Sequence, residues 1–158
     1  MTSIKKNISK APLKLKKQFK IALVQSEYNA TITDALAKSC VETLVEAGLS
    51  AKNIRTFKVP GAWELPIACQ KVAKSKKPDA IIGMGLILKG ETPHFDFISA
   101  ACAQGMMEVG LKFDLPLIFG VLTTNTLAQA KARIKGGKRG DKGVEVAQAA
   151  IKMLNEYS

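Results

Sequence analysis

Apolar residues in this chain form four short runs separated by longer amphipathic stretches. The runs cover residues 19–25, 54–59, 80–88 and 115–122, lengths typical of strands. Helical periodicity marks residues 31–48, 63–75, 94–112, 126–135 and 142–156. This alternation predicts parallel strands joined by crossover helices. Because the third and fourth runs are apolar at nearly every position, both faces of the sheet should be covered by helices. The pattern predicts an α/β fold, a three-layer α/β/α sandwich around a four-stranded parallel sheet.

Turn and capping residues punctuate this order. Gly48 follows the first helical stretch, Pro60 and Gly61 follow the second strand, and Asp141 stands where it can cap the last helix. We expect residues 19–158 to form one domain. The lysine-rich residues 1–18 are expected to form a flexible or loosely attached tail.

The composition is that of an ordinary globular domain: 158 residues, 47% hydrophobic and 23% charged. The longest apolar run has nine residues, too few to cross a bilayer, so no membrane association is expected. The net charge of +11 includes seven lysines within the first 20 residues, which leaves 11 − 7 = +4 for the rest. A second basic cluster at 131–143 lacks interleaved aromatic residues, so nucleic-acid binding is not favoured.

The three cysteines, Cys40, Cys69 and Cys102, are widely spaced and each lies among apolar residues. This pattern indicates buried, reduced thiols rather than a metal site or a disulfide framework. No apolar secretory signal stands near the N-terminus, and we therefore expect a cytoplasmic protein.

Ligands of open parallel sheets bind beyond the carboxyl ends of the strands, which here are residues 25–31, 59–66, 88–94 and 122–126. The first two junctions carry Tyr28 and Trp63, the only tryptophan. Their rings could stack on a flat ligand or could simply pack against helix ends. The position of these two residues in the sequence leaves both interpretations open.

The third junction carries His94, the only histidine of the chain. If Thr92 is an N-cap and Pro93 the first helical residue, His94 lies in the first turn of a helix that begins at the ligand edge. The N–H groups of Gly90, Glu91 and Thr92 would then form an anion site beside it. The positive end of the helix dipole disfavours the imidazolium, so a neutral, proton-accepting His94 is expected. The alternative is an ordinary surface histidine.

Four segments in this order resemble the lumazine synthase family: "VPGAWELP" at 59–66, "KGETPHFDFI" at 89–98, "PLIFGVLTTN" at 116–125 and "DKGVEVAQAA" at 141–150. The resemblance runs from about Phe19 to the C-terminus. It implies a flavodoxin-like fold and a transferase of riboflavin biosynthesis. The implied reaction condenses 5-amino-6-(D-ribitylamino)uracil with 3,4-dihydroxy-2-butanone 4-phosphate to 6,7-dimethyl-8-ribityllumazine, releasing phosphate and water, with no cofactor and no metal. It also implies a homopentamer or a multiple of pentamers.

The resemblance also implies roles for individual residues. Tyr28 and Trp63 would lie beside the pyrimidine, and Gly61, Ala62 and Glu64 would hold the ribityl chain. Leu86, Ile87 and Leu88 would line the pocket through backbone groups, with Lys89 following them. Glu91 and Thr92 fall at the phosphate-binding turn, and His94 matches the proton-transfer histidine. Phe119, Arg133 and Lys142 match residues contributed by a neighbouring subunit.

Two positions depart from many relatives. Lys89 replaces an arginine, and the segment between Arg133 and Lys142 is one residue longer than in relatives that form icosahedral shells. The loop leaves open whether pentamers assemble further. Two other functions also remain open, a flavin-binding flavodoxin-like protein and a basic RNA-binding or scaffold protein. The first would need a glycine-rich phosphate loop after the first strand, and "QSEYNATI" has no glycine.

Overall fold

The computed structural model describes residues 12–158, and its centre is a sheet of four parallel strands. The strands are β1 (Ile21–Ser26), β2 (Ile54–Val59), β3 (Ala80–Leu88) and β4 (Leu117–Thr124), in the order β2-β1-β3-β4. β2 and β3 have the predicted bounds. β4 begins two residues later than predicted because Pro116 has no N–H to donate to the ladder, although its carbonyl accepts from Ile81.

Five helices connect or follow the strands: α1 (Ala30–Glu46), α2 (Leu65–Lys76), α3 (His94–Lys112), α4 (Leu127–Lys131) and α5 (Lys142–Tyr157). The fourth is much shorter than the predicted 126–135. Beyond Lys131 the chain folds into successive turns, which include Gly136 at φ 81° and Gly140 at φ 89°. These turns bring residues 139 and 142 back to the end of α4.

The helices cover both faces of the sheet, which confirms the predicted three-layer sandwich. On one face, α1 and α5 pack against the even-numbered residues of β3, such as Ile82 and Met84. On the other face, α2 and α3 pack against Ile81 and Ile87 of the same strand. A strand buried on both sides is apolar throughout, which is why its sequence shows no alternation.

Residues 12–18 lie along the end of α1 and along α5. Leu13 and Leu15 pack against the core on that face, and the Leu15 N–H donates to the carbonyl of Ala47 at 2.9 Å. The Lys16 N–H donates to Oδ1 of Asn155 at 3.0 Å. The rest of the predicted tail, residues 1–11, lies outside the described residues. Between residues 12 and 158, no helix combines the length and apolarity needed to cross a membrane.

Candidate active site

The carboxyl ends of β1 and β2 place the two predicted aromatic residues on adjacent loops. Hydrogen bonds continue past the strands, from the Glu27 N–H to the Val59 carbonyl at 2.8 Å and from the Tyr28 N–H to the Pro60 carbonyl at 3.2 Å. Tyr28 is 56% exposed and Trp63 is 60% exposed. Both side chains therefore leave more than half of their surface available for contact with a ligand.

A single turn of 3₁₀-helix, Ala62–Glu64, orients the second loop. Ala62 is buried beneath it, which turns Trp63 outwards. The Gly61 N–H donates to Oε2 of Glu64 at 3.0 Å. One oxygen of the carboxylate therefore fixes the turn, and the other makes no hydrogen bond within residues 12–158 and can accept from a ligand hydroxyl.

The third junction is shaped by the different lengths of neighbouring strands. β1 pairs with β3 only as far as Met84, whereas β4 pairs with β3 up to Leu88. On the β1 side, the backbone groups of Leu86 and Leu88 therefore have no strand partner. Those of Ile87 point to β4, because Ile81 and Lys89, which share its side of the strand, donate to carbonyls on that side. Unpaired backbone groups at the carboxyl edge of a sheet can donate to and accept from a ligand.

The loop after β3 leads directly into α3. Lys89 donates its N–H to the Thr124 carbonyl at 2.9 Å. The next three residues, Gly90, Glu91 and Thr92, are exposed, and their N–H groups find no acceptor elsewhere in the described chain. Three free donors in succession at this edge can bind an anion.

His94 is the first residue of α3 and is exposed. The predicted cap was wrong by one residue, since Pro93 rather than Thr92 occupies the N-cap. The Pro93 carbonyl accepts from the N–H groups of Asp96 at 3.0 Å and Phe97 at 3.4 Å. Thr92 still contributes, because its hydroxyl accepts from the His94 N–H at 3.4 Å. His94 thus directly follows the loop that carries the free N–H groups.

A second group of predicted residues lies at the edge of the sheet that β4 forms. Arg133 and Lys142 line a cavity of about 250 Å³ beside β4. Its lining also includes Val121, Leu122, Thr123, Thr124, Arg139 and Glu145. Phe119, on the same edge strand, is 38% exposed. Tyr28, Trp63 and His94 do not line this cavity, so one chain divides the predicted residues between two surfaces.

Polar contacts hold two cations of this cavity, Arg133 and Lys142, in place. One guanidinium nitrogen of Arg133 donates to the Gln129 carbonyl at 2.7 Å. Lys142 begins α5, and Asp141 caps that helix as predicted by accepting from the N–H groups of Gly143 at 2.9 Å and Val144 at 3.4 Å. The Lys142 ammonium lies 3.4 Å from the carboxylate of Glu145.

The family of this chain follows from comparison with models of known protein families. A family model described as 6,7-dimethyl-8-ribityllumazine synthase matches residues 18–158. The chain belongs to the lumazine synthase family. Membership in this enzyme family connects the site to riboflavin biosynthesis and to small-molecule substrates. The match spans both surfaces described above, the carboxyl edge of the sheet and the cavity beside β4.

Several residues at these surfaces were not predicted from the sequence. Arg139 and Glu145 line the cavity beside β4, and Thr123 and Thr124 contribute the end of the strand. Asn29 follows Tyr28 with φ 55°, and its Nδ2 is buried and has no hydrogen-bond partner within residues 12–158. Its residue type could have indicated this position, since asparagine tolerates a left-handed backbone and often precedes helices.

The cysteines have the environment that the sequence predicted. All three thiols are buried and free. Burial raises the pKa of Cys40 and of Cys69 to about 12 and that of Cys102 to about 11. At neutral pH the three thiols are therefore protonated and poor nucleophiles. Across the described residues, no three histidine, cysteine or carboxylate side chains are grouped as metal ligands.

Proposed function

We propose that this chain condenses 5-amino-6-(D-ribitylamino)uracil with 3,4-dihydroxy-2-butanone 4-phosphate to 6,7-dimethyl-8-ribityllumazine, the penultimate step of riboflavin biosynthesis. The observation that carries the proposal is the division of the site residues between two surfaces of one chain. Aromatic and proton-transfer residues lie at the carboxyl edge of the sheet, and cations lie beside β4. Head-to-tail contacts between copies, closing into a pentamer, would join the first surface to the second.

The pyrimidine would bind at the carboxyl edge. The exposed rings of Tyr28 and Trp63 supply flat surfaces for it, and Phe119 would approach from the neighbouring subunit. The turn from Gly61 to Glu64 faces the ribityl chain, where the free oxygen of Glu64 can accept from hydroxyls. The open backbone groups of Leu86 and Leu88 supply hydrogen bonds to the heterocycle.

The phosphate would bind between the two surfaces. The N–H groups that follow Lys89 supply donors from one subunit, and Arg133 and Lys142 supply positive charge from the next. An arginine fork suits a phosphate because two parallel N–H donors match two of its oxygens. Anchoring this group also favours the reaction, since phosphate must leave.

His94 would move the protons. The uracil amine adds to the ketone and water leaves, phosphate departs, and the ribitylamino nitrogen closes the second ring with loss of water. Each of these steps transfers protons near the atoms that react, and an imidazole at the start of α3 can accept and return them. Since amine–carbonyl condensation is intrinsically facile, holding both substrates together should supply most of the acceleration. Removing His94 should therefore slow the reaction without abolishing it.

The first test mixes the purified chain with both substrates and follows lumazine formation by absorbance. We expect product without added metal, nucleotide or flavin, and the same rate in the presence of a chelator. Loss of activity on chelation with recovery on a divalent ion would contradict the proposal. Native mass measurement should find pentamers or multiples of them, and an active 17 kDa monomer would exclude a shared site.

A second test addresses the shared site. His94→Asn and Arg133→Ala subunits are unfolded together and refolded as mixed rings. With random equal mixing, roughly a quarter of head-to-tail interfaces have both residues intact. Activity should exceed the mean of the separately refolded variants. A mixture of His94→Asn with Trp63→Ala is the matched control, because both changes affect the same surface and no interface regains both residues. Equal behaviour of the two mixtures would place all three residues in one subunit.

A further inference from the structure

The cavity beside β4 contains a third cation, Arg139, in addition to Arg133 and Lys142. Within residues 12–158 its side chain forms no hydrogen bond and no salt bridge. By contrast, Arg133 donates to the Gln129 carbonyl at 2.7 Å, and the Lys142 ammonium lies 3.4 Å from Glu145. Arg139 is therefore the cation of this cavity with its full set of donors available to a ligand.

The loop between α4 and α5 fixes Arg139 beside the other two cations. The Arg139 N–H donates to the Ala132 carbonyl at 2.8 Å, and the Lys142 N–H donates to the Arg133 carbonyl at 2.8 Å. Gly137 permits this closure, because a Cβ at that position would overlap the backbone of Ala132. The backbone of Arg139 is thus held against the end of α4 by two independent features, a hydrogen bond and a close glycine contact.

The charge of the cavity agrees with a dianion only when Arg139 is counted. Three cations and one carboxylate, that of Glu145, give a formal charge of +2. Without Arg139 the formal charge is +1. That charge belongs to Arg133, since Lys142 and Glu145 largely offset each other. A phosphate monoester carries about −1.5 to −2 at neutral pH. The residue therefore supplies the charge that Arg133 alone lacks.

We infer that Arg139 is a further phosphate-binding residue, which contacts the phosphate of the butanone substrate together with Arg133. This inference rests on the proposed function for the identity of the substrate. It predicts a contribution to binding of the phosphate-bearing substrate and of inorganic phosphate, and none to binding of the pyrimidine. Because Arg139 is exposed and Arg133 is half-buried, the contribution of Arg139 should be the smaller of the two.

Steady-state kinetics of Arg139→Gln provide the first test. We expect the KM for the butanone phosphate to rise about twofold to fivefold, the magnitude of one exposed charge pair, with kcat and the KM for the pyrimidine nearly unchanged. Arg139→Lys should recover part of the loss. Lys138→Gln is the matched control, since Lys138 is also exposed, carries the same charge in the same loop and does not line the cavity.

Direct binding of inorganic phosphate to the assembled protein, measured by calorimetric titration, provides the second test and needs no turnover. Arg139→Gln should weaken phosphate binding by a similar factor and Lys138→Gln should not. Equal effects of the two variants would overturn the inference. The loss would then come from the lower positive charge of the loop and not from a contact made by Arg139. Equal effects of Arg139→Gln on both substrates, or loss of assembly, would likewise make Arg139 structural. If the wild type forms no lumazine, the proposed function fails, but the phosphate titration still decides the role of Arg139.

Discussion

The contact between α1 and α5 should tolerate no side chain at Gly143, and the cost of adding one follows from what surrounds it. Gly143 is buried in the first turn of α5. A Cβ there would overlap the carbonyl oxygen of Leu36 and would lie 2.9 Å from Cβ of Ser39. Both atoms belong to α1, and their positions are fixed by the backbone of that helix. No change of side-chain rotamer can therefore relieve the overlap.

The magnitude of Gly143→Ala combines two opposing effects. Overpacking against rigid neighbours costs about 3 kcal/mol, the upper end of the usual range. Replacing a helical glycine with alanine returns up to about 1 kcal/mol. The net loss is about 2 kcal/mol, which should lower Tm by roughly 4 to 8 °C for a chain of this length.

Gly83→Ala is the matched comparison. Its Cβ would also overlap a neighbour, but that neighbour is Cε of Met106, the end of a flexible side chain. Met106 can rotate, so the cost should be about 1 kcal/mol or less. Calorimetry at one protein concentration and scan rate compares the two variants. If Gly83→Ala lowers Tm as much as Gly143→Ala, the distinction between rigid and flexible neighbours is wrong.

Three further outcomes follow from the described contacts. Arg133→Ala should raise the KM for the butanone phosphate at least tenfold and leave that for the pyrimidine unchanged, since the proposed charge-assisted contact to one substrate would be lost; equal changes would make Arg133 structural. Asp141→Ala removes both capping hydrogen bonds of α5 and should cost about 1 kcal/mol, a fall in Tm of roughly 2 to 4 °C. Asp141→Ser should retain most of the capping stability. Burial raises the pKa of Cys40 and Cys69 to about 12 and that of Cys102 to about 11, from 9.0 for an unperturbed thiol, so the free energy of unfolding should fall as pH rises from about 9 towards 12. A variant with all three cysteines changed to alanine should show a shallower decline across that range in denaturant titrations, and an equal slope would contradict the assignment.

The parts of the fold that the sequence predicted well are those governed by burial and backbone chemistry. β3 is apolar on both faces because helices cover both, and the hydrophobic run alone defined its bounds. Asp141 could be recognised as a cap because its carboxylate satisfies N–H groups only a few residues away. Such features depend on residues that are close in sequence, and the order of residue types along the chain is therefore enough to predict them.

The features that the sequence did not predict depend on closure of the chain in space. The segment after Lys131 has helical periodicity, yet it turns, because Gly136 adopts φ 81° and Gly137 approaches the backbone of Ala132. Only this closure brings Arg139 next to Arg133, six residues earlier in the sequence. The basic cluster at 131–143, which the sequence shows only as a group of charges, therefore places Arg133, Arg139 and Lys142 around one cavity.

The separation of the candidate site into two surfaces has a simple origin in the sheet order. β1, where Tyr28 follows, is an inner strand, whereas β4 forms an edge and carries Phe119. Because β3 lies between β1 and β4, residues that follow β1 and residues on the outer flank of β4 lie on different sides of β3 within one chain. In the proposed head-to-tail ring, a second copy would bring its cavity cations to Tyr28 and Trp63. Strand order therefore agrees with the proposed contribution of a neighbouring subunit, and the mixed-ring experiment tests that proposal directly.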